Sequence, residues 1–252
     1  MFHEDELKRY ARQIKTDSFS LEKQKKLSEA HVLVIGAGGL GSPILYYLAA
    51  VGVGNLGVVD FDKVDLTNLN RQILHSTDDL GRVKVESAME KLQKLNPNIK
   101  VKGFNMKLDK DNIKSTIKDY DVIIDAVDNF ATRYVISDAC YQMNKPLVEG
   151  AAVGLDGIIM TIIPKKTPCY RCLYPDFDID SQGKTVSAAE IGVLGVVPGI
   201  IGTLQALEAI KLITDTGENL TGRLLQFDGL TSSFREIKLK KKKNCPLCGQ
   251  NN

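Results

Sequence analysis

A glycine-rich turn between a strand pattern and a helical pattern constrains the fold of this chain more than any other feature. The apolar run His31–Ile35 is followed by Gly36-Ala37-Gly38-Gly39-Leu40-Gly41, and a helical pattern then continues to about Val51. Glycines let the backbone approach a phosphate closely, and amide groups at a helix start face the anion. The turn therefore predicts a nucleotide site, with a purely structural glycine turn as the alternative.

The order of strand and helix patterns predicts the fold class. Strands, among them Gly57–Phe61 and Asp121–Val127, alternate with helices over roughly residues 30–150, which implies an α/β, doubly wound, Rossmann-like sheet that is parallel in this first half. In the second half, Arg223–Asp228 and Phe234–Lys240 predict a terminal hairpin, and so antiparallel additions. We expect one domain over residues 1–252, with a nucleotide-binding half, 1–150, and a second half, 151–252.

The charge balance argues against two classes of partner. The 252 residues carry 33 Lys and Arg against 31 Asp and Glu, a net charge of +2, so there is no global field for nucleic acid or an anionic membrane. Five lysines lie within Lys238–Lys243, and this local run reads as a solvated strand and tail, with a nucleic-acid patch as the alternative. We expect no nucleic-acid partner.

The most apolar long segment reads as a buried helix. Ile191–Ile213 is broken by a proline and several glycines and carries Gln205, Glu208 and Lys211, which disfavours a membrane span. Residues 1–12 are charged and lack the apolar core of a signal peptide. We therefore expect no membrane partner and a cytoplasmic location.

Polar residues follow the predicted strands at the edge where ligands bind. Asp60, 19 residues after Gly41, comes where a carboxylate can hold ribose hydroxyls, and Asp128 follows a later strand. Because the carboxyl ends of parallel strands share one edge, we expect Gly36–Gly41, Asp60 and Asp128 to converge. Up to this point a nicotinamide cofactor fits as well as ATP.

Cationic residues near this edge favour a polyphosphate. Arg71 and Lys84 would neutralise charge at a reacting phosphorus, whereas hydride transfer needs few cations. Asp128 then suits Mg²⁺, a hard cation that prefers oxygen ligands. Each residue also has a plainer reading: Arg71 as a surface salt bridge, Lys84 as a solvated helix residue and Asp128 as a helix cap.

The cysteines predict a metal site. Cys169 and Cys172 form one CxxC pair and Cys245 and Cys248 another, and two such pairs can build a closed tetrahedral Zn²⁺ site. The 72 residues between the pairs mean that the fold itself must bring them together. Redox chemistry at the pairs is the alternative. The fifth cysteine, Cys140, lies in a helical pattern, where we expect it to be buried.

Seven motifs, taken together, carry a resemblance to a known family. They occur in the order RYARQ, GAGGLGS, DFDKVDLTNLNRQ, GRVKVES, VDNFATR, PCYRCLYP and CPLCG, over nearly the whole chain. The chain resembles the ThiF/MoeB/HesA family, the ubiquitin-activating-enzyme-like adenylyltransferases. This resemblance implies that ATP with Mg²⁺ adenylates the C-terminal glycine carboxylate of a small ubiquitin-like sulfur-carrier protein, as in the thiamine and molybdopterin pathways, with release of pyrophosphate. It also implies a homodimer, a structural Zn²⁺ in each subunit and a second half that binds the carrier.

Site residues follow from the resemblance by motif position. Residues expected to bind nucleotide or metal are Gly36, Gly38, Gly39, Gly41, Asp60, Asp62, Asn68, Arg71, Gln72, Lys84, Asp128 and Asn129. Arg71, Lys84 and Asp128 are also expected to act in catalysis, together with Arg12, which matches an arginine that relatives insert into the partner subunit's ATP site.

One position departs from the pattern of many relatives. They carry a cysteine in an S-C-A-E-x-G segment, where this chain reads Ser187-Ala188-Ala189-Glu190-Ile191-Gly192. Ala188 offers no nucleophile, so we expect adenylation without a covalent enzyme intermediate and sulfur from an external donor. Two other functions remain open at this point: a nicotinamide oxidoreductase, which would not need Arg71 or Lys84, and a non-catalytic scaffold.

Overall fold

The computed structural model describes residues 2–175 and 191–249 of the chain. The strands within these residues are β1 His31–Ile35, β2 Asn55–Val59, β3 Lys100–Phe104, β4 Val122–Asp125, β5 Leu147–Val153, β6 Asp156–Ile162, β7 Arg223–Asp228 and β8 Ser233–Lys238. The α-helices given in full by the described residues are α1 Glu4–Ile14, α2 Leu21–Glu29, α3 Gly41–Val51, α4 Lys84–Leu95, α5 Ile113–Ile117, α6 Phe130–Gln142, α7 Tyr170–Leu173 and α8 Val196–Thr214.

These strands form one mixed sheet in the order β3-β2-β1-β4-β5-β6-β7-β8. The pairs from β3 to β5 are parallel, and the pairs from β5 to β8 are antiparallel. The predicted fold class, parallel in the first half with antiparallel additions, is confirmed. The strand order reverses between β1 and β4, and this is the place where open α/β sheets bind ligands.

Two apolar layers cover the parallel strands. Successive side chains of a strand point to opposite faces, so Val32 and Val34 of β1 pack on one side and Leu33 and Ile35 on the other. The first layer includes α3, α4 and α8, and the second includes α5 and α6. Because both faces are buried, the loops at the strand ends are the part of the sheet left for a ligand.

Strand β4 is shorter than the sequence predicts. The sequence predicted Asp121–Val127, but the strand spans Val122–Asp125. The carboxylate of Asp125 accepts the N–H of Val127 at 2.9 Å, and the guanidinium of Arg133 donates to the carbonyl of Val127. Because these side chains take both backbone groups of Val127, the chain leaves the sheet, and Asp128 lies in a loop.

Helix α8 is the core helix predicted in the Ile191–Ile213 segment. It is long and apolar enough to cross a membrane by length and composition, yet 44% of its most apolar 18-residue window is buried inside the fold. It packs against α3, β5 and β6. The terminal hairpin is also present, although its second strand ends at Lys238. Ala188 lies outside the described residues.

Candidate active site

A cavity of about 900 Å³ opens where β1, β2 and β4 end. Its wall includes Gly36, Gly38 and Gly39 from the turn after β1, Asp60 after β2 and Asp128 after β4. The structure thus brings together the three loops that the sequence placed at one edge. The cavity lies at the reversal of strand order between β1 and β4.

Two positions of the turn have room only for glycine. Gly36 has a φ of +104°, and a Cβ there would lie 2.6 Å from the carbonyl oxygen of Ala126. A Cβ on Gly41 would lie 2.0 Å from the carbonyl oxygen of Gly36. Gly41 is absent from the described wall of the cavity, so in this chain it closes the turn, while Gly38 and Gly39 face the cavity.

Asp60 is tied to the glycine turn through its carboxylate. Its Oδ2 accepts the N–H of Ala37 and its Oδ1 accepts the N–H of Asp62, both at 2.8 Å. An ionised carboxylate has about four acceptor positions. Asp60 can therefore hold the turn and still accept hydrogen bonds from a ligand in the cavity.

Lys84 is a buried cation in the cavity wall. It begins α4, is 5% exposed, and its Nζ lies 2.9 Å from Oδ2 of Asp62. The side chain of Asp62 is 50% exposed, so the pair lies at the boundary between the fold and the cavity. This position excludes the plainer reading of Lys84 as a solvated helix residue.

Arg71 and Gln72 follow a short 3₁₀ helix, Leu66–Asn68, and both line the cavity. The guanidinium of Arg71 donates to the carbonyl of Thr67 at 2.9 Å, while Oε1 of the buried Gln72 has no partner among the described residues. The carbonyl of Asn68 accepts the N–H groups of both. Asn68 itself is absent from the described cavity wall, so it supports Arg71 and Gln72 from behind.

His75 is a residue of this site that the sequence analysis missed. Its Nε2 lies 3.0 Å from the carbonyl oxygen of Ala37 and its Nδ1 2.9 Å from Oγ of Ser87. A carbonyl only accepts hydrogen bonds, so Nε2 donates to it and Nδ1 accepts from Ser87. Burial lowers the pKa of His75, which favours this neutral form. The histidine therefore supports the glycine turn. The sequence analysis missed this role because a single histidine outside any motif does not indicate such a contact.

Asp128 and Asn129 divide two roles at the start of α6. Oδ1 of Asn129 accepts the N–H of Thr132 at 2.9 Å, so Asn129 is the N-cap of the helix. The reading of Asp128 as the helix cap is wrong. The exposed carboxylate of Asp128 makes no hydrogen bond or ion pair to the described residues, and it lines the cavity, where it can bind a cation.

The cavity continues beyond these polar groups into a second, less polar end. Its wall there includes Ala151–Val153 of β5 and Gly157 and Ile158 of β6, with Tyr170 and Tyr174 beside them. Arg133, Glu149 and Asp156 also line the cavity. The rings of these tyrosines lie 5.0 Å apart, and burial raises the pKa of each phenol, which keeps both neutral. Small side chains on β5 and β6 leave room for a slender chain.

Arg12 is distant from the cavity of its own chain. It lies exposed on α1, whose neighbouring residue Gln13 donates to the carbonyl of Val51 at the far end of α3. Helix α3 begins at the glycine turn, and its 11 residues span about 16 Å. Arg12 is therefore one helix length away from the turn.

The four cysteines of the CxxC pairs meet in one cluster. Their sulfur atoms all lie within 4.8 Å of one another, and Sγ of Cys169 is 3.4 Å from that of Cys245. Tetrahedral Zn²⁺ with Zn–S bonds of about 2.3 Å requires sulfur separations of about 3.8 Å, which this cluster fits. The cysteines do not line the described cavity, but Tyr170, next to Cys169, does. Cys140 is 1% exposed as predicted, and burial raises the pKa of its thiol.

The ThiF family profile matches residues 10–247. The chain belongs to the ThiF family. An adenylyltransferase and sulfurtransferase MOCS3-1 from Zea mays is 48% identical over 98% of this chain and 53% of its own length. The chain thus spans about half the length of this relative. A sulfur carrier protein adenylyltransferase from Thermus thermophilus is 42% identical over 97% of this chain and 92% of its own length.

Solved structures of the same architecture extend the comparison. A crystal structure of E. coli MccB with ATP superposes with a TM-score of 0.84 at 25% identity, over 96% of this chain and 73% of that one. The ThiF fold of this chain is therefore shared with a protein whose structure was solved with ATP.

Proposed function

We propose that this protein is a nucleotidyltransferase that uses ATP to adenylate the C-terminal glycine carboxylate of a small ubiquitin-like sulfur-carrier protein, with release of pyrophosphate. The observation that carries the proposal is the continuous cavity in a ThiF family member. One end offers a glycine turn, carboxylates and cations, and the other offers alanine, glycine and tyrosine residues of β5, β6 and α7. Such a cavity can hold a nucleotide and a slender peptide end to end.

The polar end of the cavity suits ATP. Backbone amides of the turn face the phosphates, Asp60 accepts hydrogen bonds from the ribose, and Arg71 and Lys84 supply positive charge near the reacting phosphorus. Gln72 offers as a further acceptor its Oε1, which has no partner among the residues that the structure describes. A hydride-transfer site needs few cations, so two of them beside the glycine turn favour ATP over a nicotinamide.

Asp128 is the residue we propose for holding Mg²⁺. Its exposed carboxylate, without hydrogen bonds to the described residues, offers the oxygen ligands that this hard cation prefers. Bound there with ATP, Mg²⁺ would offset the negative charge of the phosphates. Asn129 is close by along the chain, but its Oδ1 is engaged as the helix cap.

The less polar end suits the tail of a carrier protein that ends in Gly-Gly. Two glycines have no side chains and pass where larger residues cannot. Ala151–Val153 and Gly157 line the cavity near Tyr170 and Tyr174, and the alanines and the glycine leave space for such a tail along β5 and β6. The Thermus relative is named for action on a sulfur carrier protein, which supports this class of partner.

The reaction needs positioning and charge neutralisation more than acid or base groups. A carboxylate oxygen of the carrier forms a bond to the α-phosphorus, and the bond from that phosphorus to the bridging oxygen of pyrophosphate breaks. The carboxylate is already a nucleophile, so Arg71 and Lys84 act by holding the phosphates and offsetting their charge. Because Ala188 carries no thiol, we propose that no covalent bond forms between the enzyme and the carrier and that an external donor supplies the sulfur. We propose that the reaction takes place in the cytoplasm.

Pyrophosphate release should depend on a carrier with a C-terminal Gly-Gly. Thiamine-pathway and molybdopterin-pathway carriers, tested side by side with ATP and Mg²⁺, should differ because only the matching carrier completes the cavity. The matched control is the same carrier without its last glycine. Reduced-nicotinamide binding, with no pyrophosphate from any carrier, would instead support an oxidoreductase.

A second copy of this chain is the partner we propose for the outward face of α8. This face exposes apolar side chains, including Val196 at 63% and Leu207 at 49%, and Ile73 is exposed at 60%. A homodimer would bury apolar area of this kind. It would also allow Arg12, which is remote from its own cavity, to act at the partner's.

Mixed dimers test this shared site. Arg12→Ala and Lys84→Ala chains should each be weakly active alone, and mixing them should restore part of the activity. One hybrid site would then contain the Lys84 of one chain and the Arg12 of the other. Subunit exchange is measured independently with a mass tag. Full exchange without recovery of pyrophosphate release would contradict the role of Arg12 across the dimer.

A further inference from the structure

Two buried acids lie side by side at the cavity, and one of them, Glu149, forms part of its wall. Asp125 ends β4, and its register partner in the parallel ladder is Glu149 of β5. Partner residues of neighbouring strands point to the same face of a sheet. Asp125 is 0% exposed and Glu149 is 1% exposed, and neither has a role in the reaction described above.

Each acid has one oxygen without a hydrogen-bond partner among the described residues. These atoms are Oδ2 of Asp125 and Oε2 of Glu149. Two ionised carboxylates in contact inside a protein repel each other, and an unpaired buried acceptor is costly. A single proton between the acids would make one of these oxygens a donor to the other. Burial raises the pKa of both groups, and that of Glu149 lies well above its usual range.

Arg133 of α6 is the cation that faces this pair. It is 6% exposed, lines the cavity, forms an ion pair with Glu149 and donates to the carbonyl of Gly150 at 2.8 Å. The other titratable groups that act on the two acids or their neighbours come from four elements. They are Asp128 of the following loop, Cys140 of α6, Tyr170 of α7, Tyr174 just after α7 and Lys145 before β5.

One positive charge balances one negative charge in this cluster. With a single proton on the pair, the acids carry a charge of −1 against the +1 of Arg133. Without that proton the buried cluster would be left with a net negative charge, which burial strongly disfavours. The composition of the cluster therefore favours one shared proton.

The same side chains hold both backbone groups of Val127. Oδ1 of Asp125 accepts its N–H at 2.9 Å, and Arg133 donates to its carbonyl. The next residue is Asp128, whose carboxylate lines the cavity. We propose that Asp125, Glu149 and Arg133 form one positioning unit, in which the acids hold a single proton between them and fix Val127 so that Asp128 faces the cavity. Only the consequence for Asp128 rests on the proposed function.

Unfolding as a function of pH tests the shared proton without any activity measurement. The folded protein would carry one proton more on this pair than the unfolded chain does above the unfolded glutamate pKa of about 4.3. Stability then falls as pH rises from that value towards the raised pKa of the folded pair. Glu149→Gln keeps the size and the charge balance but has no proton to lose.

The readout is the unfolding equilibrium constant of wild type divided by that of Glu149→Gln, measured by denaturant from pH 5 to 9. The other titratable groups contribute equally to the pH dependence of both proteins, so their contributions cancel in the ratio. We expect this ratio to rise roughly tenfold per pH unit until the pair loses its proton, and then to level off. A ratio that stays constant across this range would overturn the shared proton.

Glu208 of α8 supplies a matched control. It is a buried acid, 3% exposed, that accepts hydrogen bonds from Thr161 and the N–H of Leu220. Burial alone would raise the pKa of Glu208, but hydrogen bonds, with Lys211 first, outweigh it and lower that pKa. Glu208 is therefore ionised in both states above pH 5. Glu208→Gln should destabilise the protein by an amount independent of pH.

Arg133→Lys tests the positioning role. Lysine keeps the charge but has no planar fork to reach Glu149 and Val127 together. We expect the rate of pyrophosphate release to fall by roughly 10–100-fold and the Mg²⁺ concentration for half-maximal rate to rise, since supporting contacts of a metal site carry such effects. Affinity for AMP, which needs no metal, should fall far less than the rate, because the glycine turn and Asp60 are untouched by this change.

The unfolding experiment and the Arg133→Lys experiment distinguish failure of this proposal from failure of the proposed function. Equal loss of AMP affinity and turnover in Arg133→Lys would mean a general structural role and would overturn the positioning unit. If the wild type releases no pyrophosphate with any carrier, the proposed function fails, while the unfolding ratio still decides whether the acids share a proton.

Discussion

Removal of any one of three charged side chains in the cavity should lower the rate of adenylation by roughly 10²–10³-fold. The substitutions are Arg71→Ala, Lys84→Ala and Asp128→Ala. Each side chain lines the same cavity, and each would offset or organise the charge of the phosphates in the transition state. Such groups are effective because the fold has already oriented them before the reaction begins. The measurement is carrier-dependent pyrophosphate release or isotope exchange between pyrophosphate and ATP.

The fold should tolerate these changes. The partner of Lys84 is Asp62, whose side chain is 50% exposed, so Lys84→Ala leaves a carboxylate that water can still solvate. Asp128 has no hydrogen bond to the described residues to lose.

Lys94→Ala is the matched control for Lys84→Ala. It removes a lysine from the same helix whose side chain is 74% exposed and paired with Glu90, and it should leave the rate unchanged. Exchange within about threefold of wild type in all three cavity variants, with folding intact, would refute this assignment of the site.

The sequence predicted the architecture because the fold depends on local patterns. The glycine turn after β1 and the alternation of strands and helices were enough for the parallel half, and the hairpin signals indicated the antiparallel half. The end of β4 could not be read in this way. The run up to Val127 is apolar except for Asp121 and Asp125. The strand stops at Asp125 because Asp125 accepts the N–H of Val127, a local contact, and Arg133, from the next helix, donates to its carbonyl. Such a tertiary contact leaves no local pattern.

The polar residues of the site were predictable to the extent that they lie in motifs at strand ends. Asp60, Arg71, Lys84 and Asp128 all line one cavity. His75 and Glu149 escaped notice because each is a single polar residue beside an apolar run, with no partner near it in sequence. Their roles come from atoms far along the chain: the carbonyl of Ala37 for His75 and the guanidinium of Arg133 for Glu149.

Loss of the cysteine cluster should have the largest effect on stability. The protein purified without chelator should contain one Zn²⁺ per chain, and Cys248→Ser should lose most of it. Structural zinc can contribute on the order of 10 kcal/mol to the folding of small zinc domains. Even a few kcal/mol lowers the Tm of a chain of this size by about 10 °C, at about 2–4 °C per kcal/mol. Metal analysis and thermal unfolding measure the two effects.

Loss of zinc should weaken binding at the end of the cavity proposed for the carrier more than binding at the end proposed for the nucleotide. Cys169 and Cys172 flank Tyr170, which lines the less polar end, and Arg171 fastens the same short helix to Asp138 with two bonds of 2.8 Å. When the cluster opens, this helix loses the attachment that its two cysteines provide. We therefore expect Cys248→Ser to raise the KM for the carrier more than the Kd for ATP, because the glycine turn lies on other elements.

Cys140→Ala separates loss of zinc from loss of a buried thiol. Cys140 is a core residue outside the cluster, so this variant should keep one Zn²⁺ per chain and an unchanged KM for the carrier. Protein without zinc, or a Cys248→Ser variant with wild-type metal content and Tm, would contradict the structural metal. Equal losses of ATP and carrier affinity would contradict the link through Tyr170, since a local attachment cannot disturb the glycine turn as much as the helix it holds.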